Sequence, residues 1–112
     1  MISIDEYQRL ALRTAPKNLT RIDETVNGLL GLCGEAGECA DIWKKSAYMD
    51  HPFDKEHMIK EMGDVMWYMA LLAHGLDVNL SEVLEKNIEK LKKRYPDGFD
   101  SQKSLNRAAG DV

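Results

Sequence analysis

The chain has few of the features that would cross-link a protein, anchor it in a membrane or draw it to a polyanion. Of its 112 residues only two are cysteines, Cys33 and Cys39. They lie six positions apart in one predicted helix, on different faces, so they cannot form a bridge with each other. The formal net charge is −4, so the basic character that favours nucleic acid is missing. No apolar run is long enough to span a bilayer, and no signal peptide is visible. We therefore expect a reduced, cytoplasmic protein that binds neither nucleic acid nor membrane.

Hydrophobic periodicity predicts helices and no strands. Polar N-cap residues precede four apolar-periodic segments, at Ser3, Thr20, Asp54 and Asn79, and Gly75 is placed to stop the third segment at its C′ position. The final residues are polar and small, which is typical of a loop or a mobile tail. The predicted helices cover about residues 3–14, 21–48, 54–74 and 79–95.

The second and third predicted helices form a long antiparallel pair at the centre of this architecture. The second helix is apolar on most of its circumference, and one small chain cannot cover that surface. We therefore predict an all-α, four-helix bundle that is completed by oligomerisation, as a homodimer or a homotetramer. The helical domain is predicted at residues 1–100 and a polar C-terminal tail at residues 101–112.

Glycine recurs at every third position of the second helix. In an exposed helix each glycine would cost roughly 1 kcal/mol relative to alanine, so a compensating close helix approach or ligand access is expected. Trp43 and Trp67 fall away from the polar face and are interpreted as core or interface anchors. The recurring glycines are Gly28, Gly31, Gly34 and Gly37.

Two pairs of carboxylates lie three residues apart on the second and third predicted helices. Glu35 and Glu38 form the first pair, and Glu61 and Asp64 form the second. Positions i and i+3 share a helix face, so the four groups can converge, and four like charges would repel one another. A divalent cation removes this conflict, and oxygen-only ligands favour Mg²⁺, with Mn²⁺ as a substitute, over Zn²⁺. The alternative is that both pairs are ordinary solvent-facing acids.

A di-iron centre is the rival metal site. That chemistry uses Glu-x-x-His repeats on two helices. None of the three histidines follows a glutamate by three residues, which argues against di-iron and favours surface or loop positions for them. These histidines are His51, His57 and His74.

Side chains suited to phosphate oxygens follow the carboxylates along the chain. Lys45 lies two turns beyond the first pair, and Asn87, Lys90 and Arg94 share a face of the fourth helix. A solvated basic face is the alternative for the two cations, whereas Asn87 interrupts an apolar stripe. Tyr68 lies one turn beyond the second pair, where it can contact a nucleoside base or serve as a core tyrosine.

Taken in register, these segments resemble the MazG-like nucleotide pyrophosphohydrolases. This all-α superfamily also includes dimeric dUTPases, dCTP pyrophosphatases and phosphoribosyl-ATP pyrophosphohydrolases. The resemblance extends over about residues 29–99, and either acidic pair alone would be a weak signal. The segments that carry it are residues 31–38, 60–65 and 87–96.

The resemblance implies a Mg²⁺-dependent enzyme that hydrolyses a nucleoside triphosphate to the monophosphate and pyrophosphate, and a role in cleaning the nucleotide pool. Asn87 and Lys90 would hold phosphates, and Tyr68 would line the nucleoside pocket. We assign Glu38 as the general base, and Lys45, Lys90 and Arg94 as the groups that stabilise charge on the departing pyrophosphate. The implied metal ligands are Glu35, Glu38, Glu61 and Asp64.

Two further functions remain open at this level. One is a helical interaction module that binds nucleotide or metal without chemistry, and the other is a phosphoribosyl-ATP pyrophosphohydrolase. The complete set of four carboxylates favours an enzyme over the module.

Overall fold

A computed structural model describes residues 1–112, and it contains helices and no strands. The all-α prediction is confirmed, and the first four helices lie close to their predicted positions. None of the helices combines the length and apolar character that a bilayer crossing requires. The elements are α1 (Ile4–Ala11), a 3₁₀ turn (Leu12–Thr14), α2 (Arg21–Tyr48), α3 (Lys55–Gly75), α4 (Leu80–Arg94) and α5 (Ser101–Leu105).

Polar side chains begin the first three helices, as their sequence positions predict. The Ser3 hydroxyl accepts a hydrogen bond from the Glu6 N–H at 3.1 Å. At the start of α2, the Asp23 N–H donates to the Thr20 hydroxyl, and the Thr20 N–H donates back to the Asp23 carboxylate. Asp54 accepts from the N–H of the third residue of α3. Each cap satisfies a backbone donor that has no partner within its helix, typically worth about 1 kcal/mol.

The chain divides into two compact units, residues 1–80 and residues 81–112. In the first unit α2 and α3 pack on each other at glycine positions of α2. A Cβ added to Gly28 would lie 2.8 Å from the Cβ of Leu72, and one added to Gly31 would lie 2.2 Å from the ring of Tyr68. A step forward along α2 therefore matches a step back along α3, so the helices are antiparallel.

The other glycines of these helices have different roles. Gly34 and Gly37 face open space, so close packing within the chain does not explain them. Gly75 is the last residue of α3, not the left-handed residue after it, and the positive φ of 58° in this turn belongs to Asp77. Gly75 is required by contact instead, because a Cβ there would lie 2.5 Å from the Thr25 hydroxyl oxygen.

The buried core of the first unit is small and contains a glutamine. Gln8 of α1 is 6% exposed. Its amide nitrogen donates to the carbonyls of Ala70 and Val78, and its amide oxygen accepts from the Leu80 N–H at 2.9 Å. These bonds satisfy a buried polar group and tie α1 to the end of α3 and the start of α4. The buried apolar residues are Ala70, Leu71, Ala73 and Leu80.

Trp67 provides a second link between α3 and the N-terminal segment. Its indole N–H lies within hydrogen-bond distance of the Ala11 carbonyl, at 3.1 Å, and of the Thr14 hydroxyl, at 2.8 Å. Trp67 therefore anchors the 3₁₀ turn to α3. Trp43, by contrast, is 57% exposed and makes an edge contact with Phe53.

A stripe of apolar and small residues on α2 is left uncovered by the chain itself. Its members recur every three or four positions, which places them on one helix face. Leu29 is 48% exposed and Ile22 is 76% exposed. We call this surface the α2 stripe, and its residues are Ile22, Val26, Leu29, Cys33, Ala36, Ala40 and Trp43.

The second unit contains most of α4, α5 and the C-terminal residues. The segment expected to be a loop or mobile tail includes the five-residue helix α5, which Asp100 caps. Beyond it, Gly110 has a φ of +84°, and the Asp111 N–H donates to the Ala108 carbonyl at 3.1 Å. This turn directs Asp111 to Arg94, whose guanidinium donates two hydrogen bonds to the carboxylate, at 2.9 and 2.7 Å.

The contact at Gly31 predicts a specific loss of stability on substitution. Gly31→Ala would press a methyl group into the Tyr68 ring, and overpacking of this kind typically costs about 1–3 kcal/mol. Gly34→Ala is the matched control on the same helix, because its Cβ meets nothing, and it should gain up to about 1 kcal/mol. Denaturant unfolding measures both changes, and equal midpoints for the two variants would contradict the close approach.

The Arg94–Asp111 pair predicts a loss of local order in acid. Arg94 lowers the pKa of Asp111 below its ordinary value of 3.8. A carboxyl whose pKa is depressed in the folded state stabilises that state above the ordinary pKa, and this contribution is lost as the pH falls through the folded value. The amide signal of Gly110 in NMR spectra should therefore shift as the pH falls below 3.8. Asp111→Asn should remove this transition while α2 signals report an intact first unit.

Candidate active site

Three of the predicted metal ligands converge in the first unit. Carboxylate oxygens of Glu35, Glu61 and Asp64 all lie within 4.8 Å of one another. Glu35 comes from α2, and the other two come from successive turns of α3. The antiparallel register set at Gly31 brings Glu35 opposite this part of α3, so the group is a direct consequence of helix packing.

The electrostatics of this group favour a cation. Partial burial raises the pKa of Glu35. Its hydrogen bond to Glu61 and the negative charges of Asp64, Glu61 and Glu38 raise this pKa further. The charged form of Glu35 is therefore disfavoured, and a positive charge nearby would offset this penalty. Asp64 is exposed and Glu61 is partly exposed, so the group is open to solvent. An all-oxygen donor set of this kind fits Mg²⁺ or Mn²⁺.

Glu38 is not a member of the three-carboxylate group. It is exposed on α2, one turn beyond Glu35, and its charge contributes to raising the pKa of Glu35. The structure therefore places Glu38 beside the group, and its roles as metal ligand and base stay predictions.

Lys45 is paired with a neighbour on its own helix. Its ammonium lies 2.8 Å from the Asp41 carboxylate, which also lies 3.4 Å from Lys44. The hydrogen bond and charge of Asp41 raise the pKa of Lys45, and the charge of Glu38 adds a smaller contribution. Lys45 is therefore within electrostatic reach of Glu38, although its hydrogen bond is made to Asp41.

Tyr68 combines a packing contact with a place near the carboxylates. Its ring covers Gly31, one turn before Glu35 on α2, and it makes an edge contact with Trp67 at a centroid distance of 5.0 Å. The ring is half-buried, which agrees with both alternatives from the sequence, a core tyrosine and a wall of a pocket.

Two residues near the site were missed in the sequence. His57 lies with its Nε2 atom 3.3 Å from a Glu61 oxygen, and the i, i+4 spacing of this pair was an available signal. Tyr7 of α1 lies with its hydroxyl 3.5 Å from the Gly63 carbonyl. Burial raises the pKa of Tyr7, and the charge of Asp64 raises it further. No sequence pattern signals this contact, because it joins residues that are 56 positions apart.

The three predicted phosphate residues of α4 lie in the second unit. Asn87 is exposed, while Lys90 and Arg94 line a cavity within that unit. The Arg94 guanidinium is held by Asp111. Binding of substrate phosphates by these side chains stays a prediction.

Comparison with known proteins identifies a family for the segment that carries these residues. A family model described as the MazG nucleotide pyrophosphohydrolase domain matches residues 25–99. This match includes the three converging carboxylates and the polar residues of α4. No solved structure matches the chain.

Curated relatives include a viral and a mammalian protein. Gene 37 protein of Mycobacterium phage L5 is 38% identical over 117 residues, with 93% of this chain and 98% of that protein covered. The dCTP pyrophosphatase 1 of Rattus norvegicus is 28% identical over 101 residues, which cover 84% of this chain but only 59% of the rat protein. Uncharacterized protein YvdC of Bacillus subtilis (strain 168) is 44% identical over 41 residues, covering 37% of this chain and 39% of that protein. The resemblance inferred from the acidic motifs is confirmed, and the chain belongs to the MazG nucleotide pyrophosphohydrolase domain family.

Proposed function

We propose that the chain hydrolyses a nucleoside or deoxynucleoside triphosphate to the monophosphate and pyrophosphate, with Mg²⁺ as its metal. The observation that carries this proposal is the convergence of three carboxylates from two helices within 4.8 Å. Family membership supports the reaction class, because the matching domain is a nucleotide pyrophosphohydrolase domain.

Glu35, Glu61 and Asp64 would hold Mg²⁺, and Mn²⁺ would fit the same oxygen donors. When bound, the metal would supply charge neutralisation and would lower the pKa of a nearby water. Glu38 is exposed beside the three carboxylates, which suits it to accept the proton of the attacking water.

The remaining predicted residues would act on the substrate. Asn87 and Lys90 would bind phosphate oxygens, and Lys45 and Arg94 would stabilise negative charge on the departing pyrophosphate. Tyr68 would contact the base from its place over Gly31. The name of the rat relative makes dCTP the first substrate to test.

We further propose that two copies of the chain pair through the α2 stripe. This surface runs along a 28-residue helix and contains exposed leucine, isoleucine and tryptophan side chains. Exposed apolar side chains that follow one face of a long helix are typical of an interface between subunits. Glu35 lies on the side of α2 that faces α3, so pairing through the stripe would leave the three carboxylates open to substrate.

Removal of one carboxylate charge tests the metal assignment. Glu61→Gln should reduce Mg²⁺-dependent pyrophosphate release by more than about 100-fold, because even outer-shell partners of a metal typically contribute about 10- to 100-fold. Binding of Mn²⁺, followed by electron paramagnetic resonance, should weaken in parallel. Glu56→Gln is the matched control, since it removes the same charge from an exposed position in the first turn of α3.

The assay should compare canonical and modified triphosphates with phosphoribosyl-ATP, and should distinguish pyrophosphate from single phosphate. Normal turnover in Glu61→Gln would show that the carboxylates are not the metal site. Nucleotide binding without pyrophosphate release from any substrate would instead identify a non-catalytic binding module.

A charge on the α2 stripe tests the proposed pairing. Leu29→Glu should convert the homodimer to a monomer, because a buried glutamate without a partner is strongly unfavourable at an apolar interface. Ile2→Glu is the control, as it places the same charge at an exposed residue outside the stripe. Light scattering measures the mass, and a parent protein that is monomeric at micromolar concentration would refute the pairing.

A further inference from the structure

A basic cavity lies within the second unit, between α4 and the C-terminal segment. Its volume is about 580 Å³, and its lining contains six basic side chains against two acidic ones, Glu89 and Asp111. A concave surface with an excess of one charge concentrates ligands of the opposite charge. The basic side chains are Lys86, Lys90, Lys93, Arg94, Lys103 and Arg107.

The Asp111 carboxylate is bound in this cavity as a ligand would be. The Arg94 guanidinium donates to both of its oxygens, and the two side chains are only 10% and 17% exposed. The charges of Arg94, Arg107 and Lys90 all lower the pKa of Asp111. A guanidinium binds a phosphate with the same two-pronged geometry as a carboxylate, so Asp111 occupies a place that suits a phosphate group.

The two acidic side chains leave most of the positive charge of the six basic ones uncompensated. No ion pair within 4.0 Å joins Lys90, Lys93, Lys103 or Arg107 to an acidic side chain, and the one pair made by Lys86, with Glu82, spans 3.9 Å. A ligand with two or three linked phosphates would bring enough charge to engage Arg94 and the surrounding cations together. A monoanion such as a carboxylate cannot do so.

The turn that carries Asp111 can rearrange locally. Residues 105–110 are exposed, and Gly110 adopts a positive φ that gives the turn its shape. Few buried contacts other than the Arg94 pair hold this turn in place, and such segments open at low free-energy cost.

We propose that the cavity binds a di- or triphosphate group, and that Asp111 is an internal competitor which occupies Arg94 until such a ligand displaces its carboxylate from the guanidinium. The physiological identity of the anion rests on the proposed function, because Lys90 and Arg94 are also phosphate residues there. Binding of phosphates in this cavity requires neither the three carboxylates of the first unit nor catalytic turnover.

The test is an NMR titration of the ¹⁵N-labelled full chain with inorganic pyrophosphate, in the absence of Mg²⁺. The Gly110 amide signal should shift in a saturable manner as the Asp111 carboxylate leaves Arg94. Asp111→Asn should bind pyrophosphate at least about threefold more tightly than the parent protein, because the competent, unblocked state becomes fully populated. Asp97→Asn is the matched control, since Asp97 is exposed and does not line the cavity.

A second pair of variants tests the lining. Lys103→Gln should weaken pyrophosphate binding several-fold, whereas Lys92→Gln, which removes the same charge from an exposed residue outside the cavity, should have a smaller effect. A titration with a nucleoside triphosphate distinguishes the sources of the phosphates. A shift of Gly110 with both ligands indicates recognition of the phosphates alone, and a shift with the nucleotide at much lower concentration indicates that the nucleoside is also bound.

Three results would overturn the proposal. They are a Gly110 signal that does not respond to pyrophosphate or triphosphate, an affinity of Asp111→Asn no higher than that of Asp97→Asn, and tighter binding of a single-stranded oligonucleotide than of pyrophosphate. Failure of the proposed function is separate, because a chain that releases no pyrophosphate from any substrate can still show the Gly110 response.

Discussion

The close contact between α2 and α3 at Gly28 and Gly31 sets the geometry of the first unit. At both positions a single added carbon would lie under 3 Å from atoms of Leu72 or Tyr68. Leu72 and Tyr68 pack so closely on the glycine backbone that α3 cannot slide along α2, so the contact fixes the register of the two helices as well as their separation. Glu35 then lies opposite Glu61 and Asp64 because of packing one turn away, and no interaction among the carboxylates is needed to bring them together.

The cluster of Glu35, Glu61 and Asp64 counteracts the stabilisation that this packing provides. Three acidic groups meet at the helix pair, and the pKa of Glu35 is raised because its charged form is unfavourable there. The buried apolar core is small, so the chain has little surplus stability to offset such repulsion. A cation at this point would convert the repulsion into attraction, and the protein should gain stability as well as function from binding it.

Local sequence signals predicted the helices and the three carboxylates that the structure brings together. Ser3 and Thr20 each lie three residues before the backbone N–H group that they satisfy, so these caps can be recognised from the sequence alone. The i, i+3 rule identified the carboxylates but did not separate Glu38 from the others. Three residues turn an α-helix by about 300°, so Glu38 points about 60° away from Glu35. Glu61 and Asp64 share this offset but both lie within reach of Glu35, whereas Glu38 is left outside the group.

Contacts between distant residues were beyond the reach of the sequence patterns. The approach of Tyr7 to Gly63, and the pairing of Arg94 with Asp111, depend on how the chain returns on itself. Composition alone predicted a loop or mobile tail after α4, since small and polar residues bury little apolar surface. The order found there comes instead from the helix α5 with its Asp100 cap, the Arg94–Asp111 pair, and two glycines with positive φ, Gly98 and Gly110. Composition does not measure these features.

The two sides of α2 have different structural roles, which explains why the helix combines glycines, acidic residues and large apolar residues. The side toward α3 requires glycine for close approach and carries Glu35, which leaves few large side chains to stabilise the helix from within the chain. The α2 stripe on the remaining surface carries exposed apolar area that the proposed pairing would bury. A second copy bound there would pack on the face of α2 that lies away from α3, so Glu35 would be supported from both sides of its helix. No residue of the partner would need to join the three carboxylates. In this arrangement the small core and the uncovered stripe would have one cause, the use of the helix interface for the proposed site.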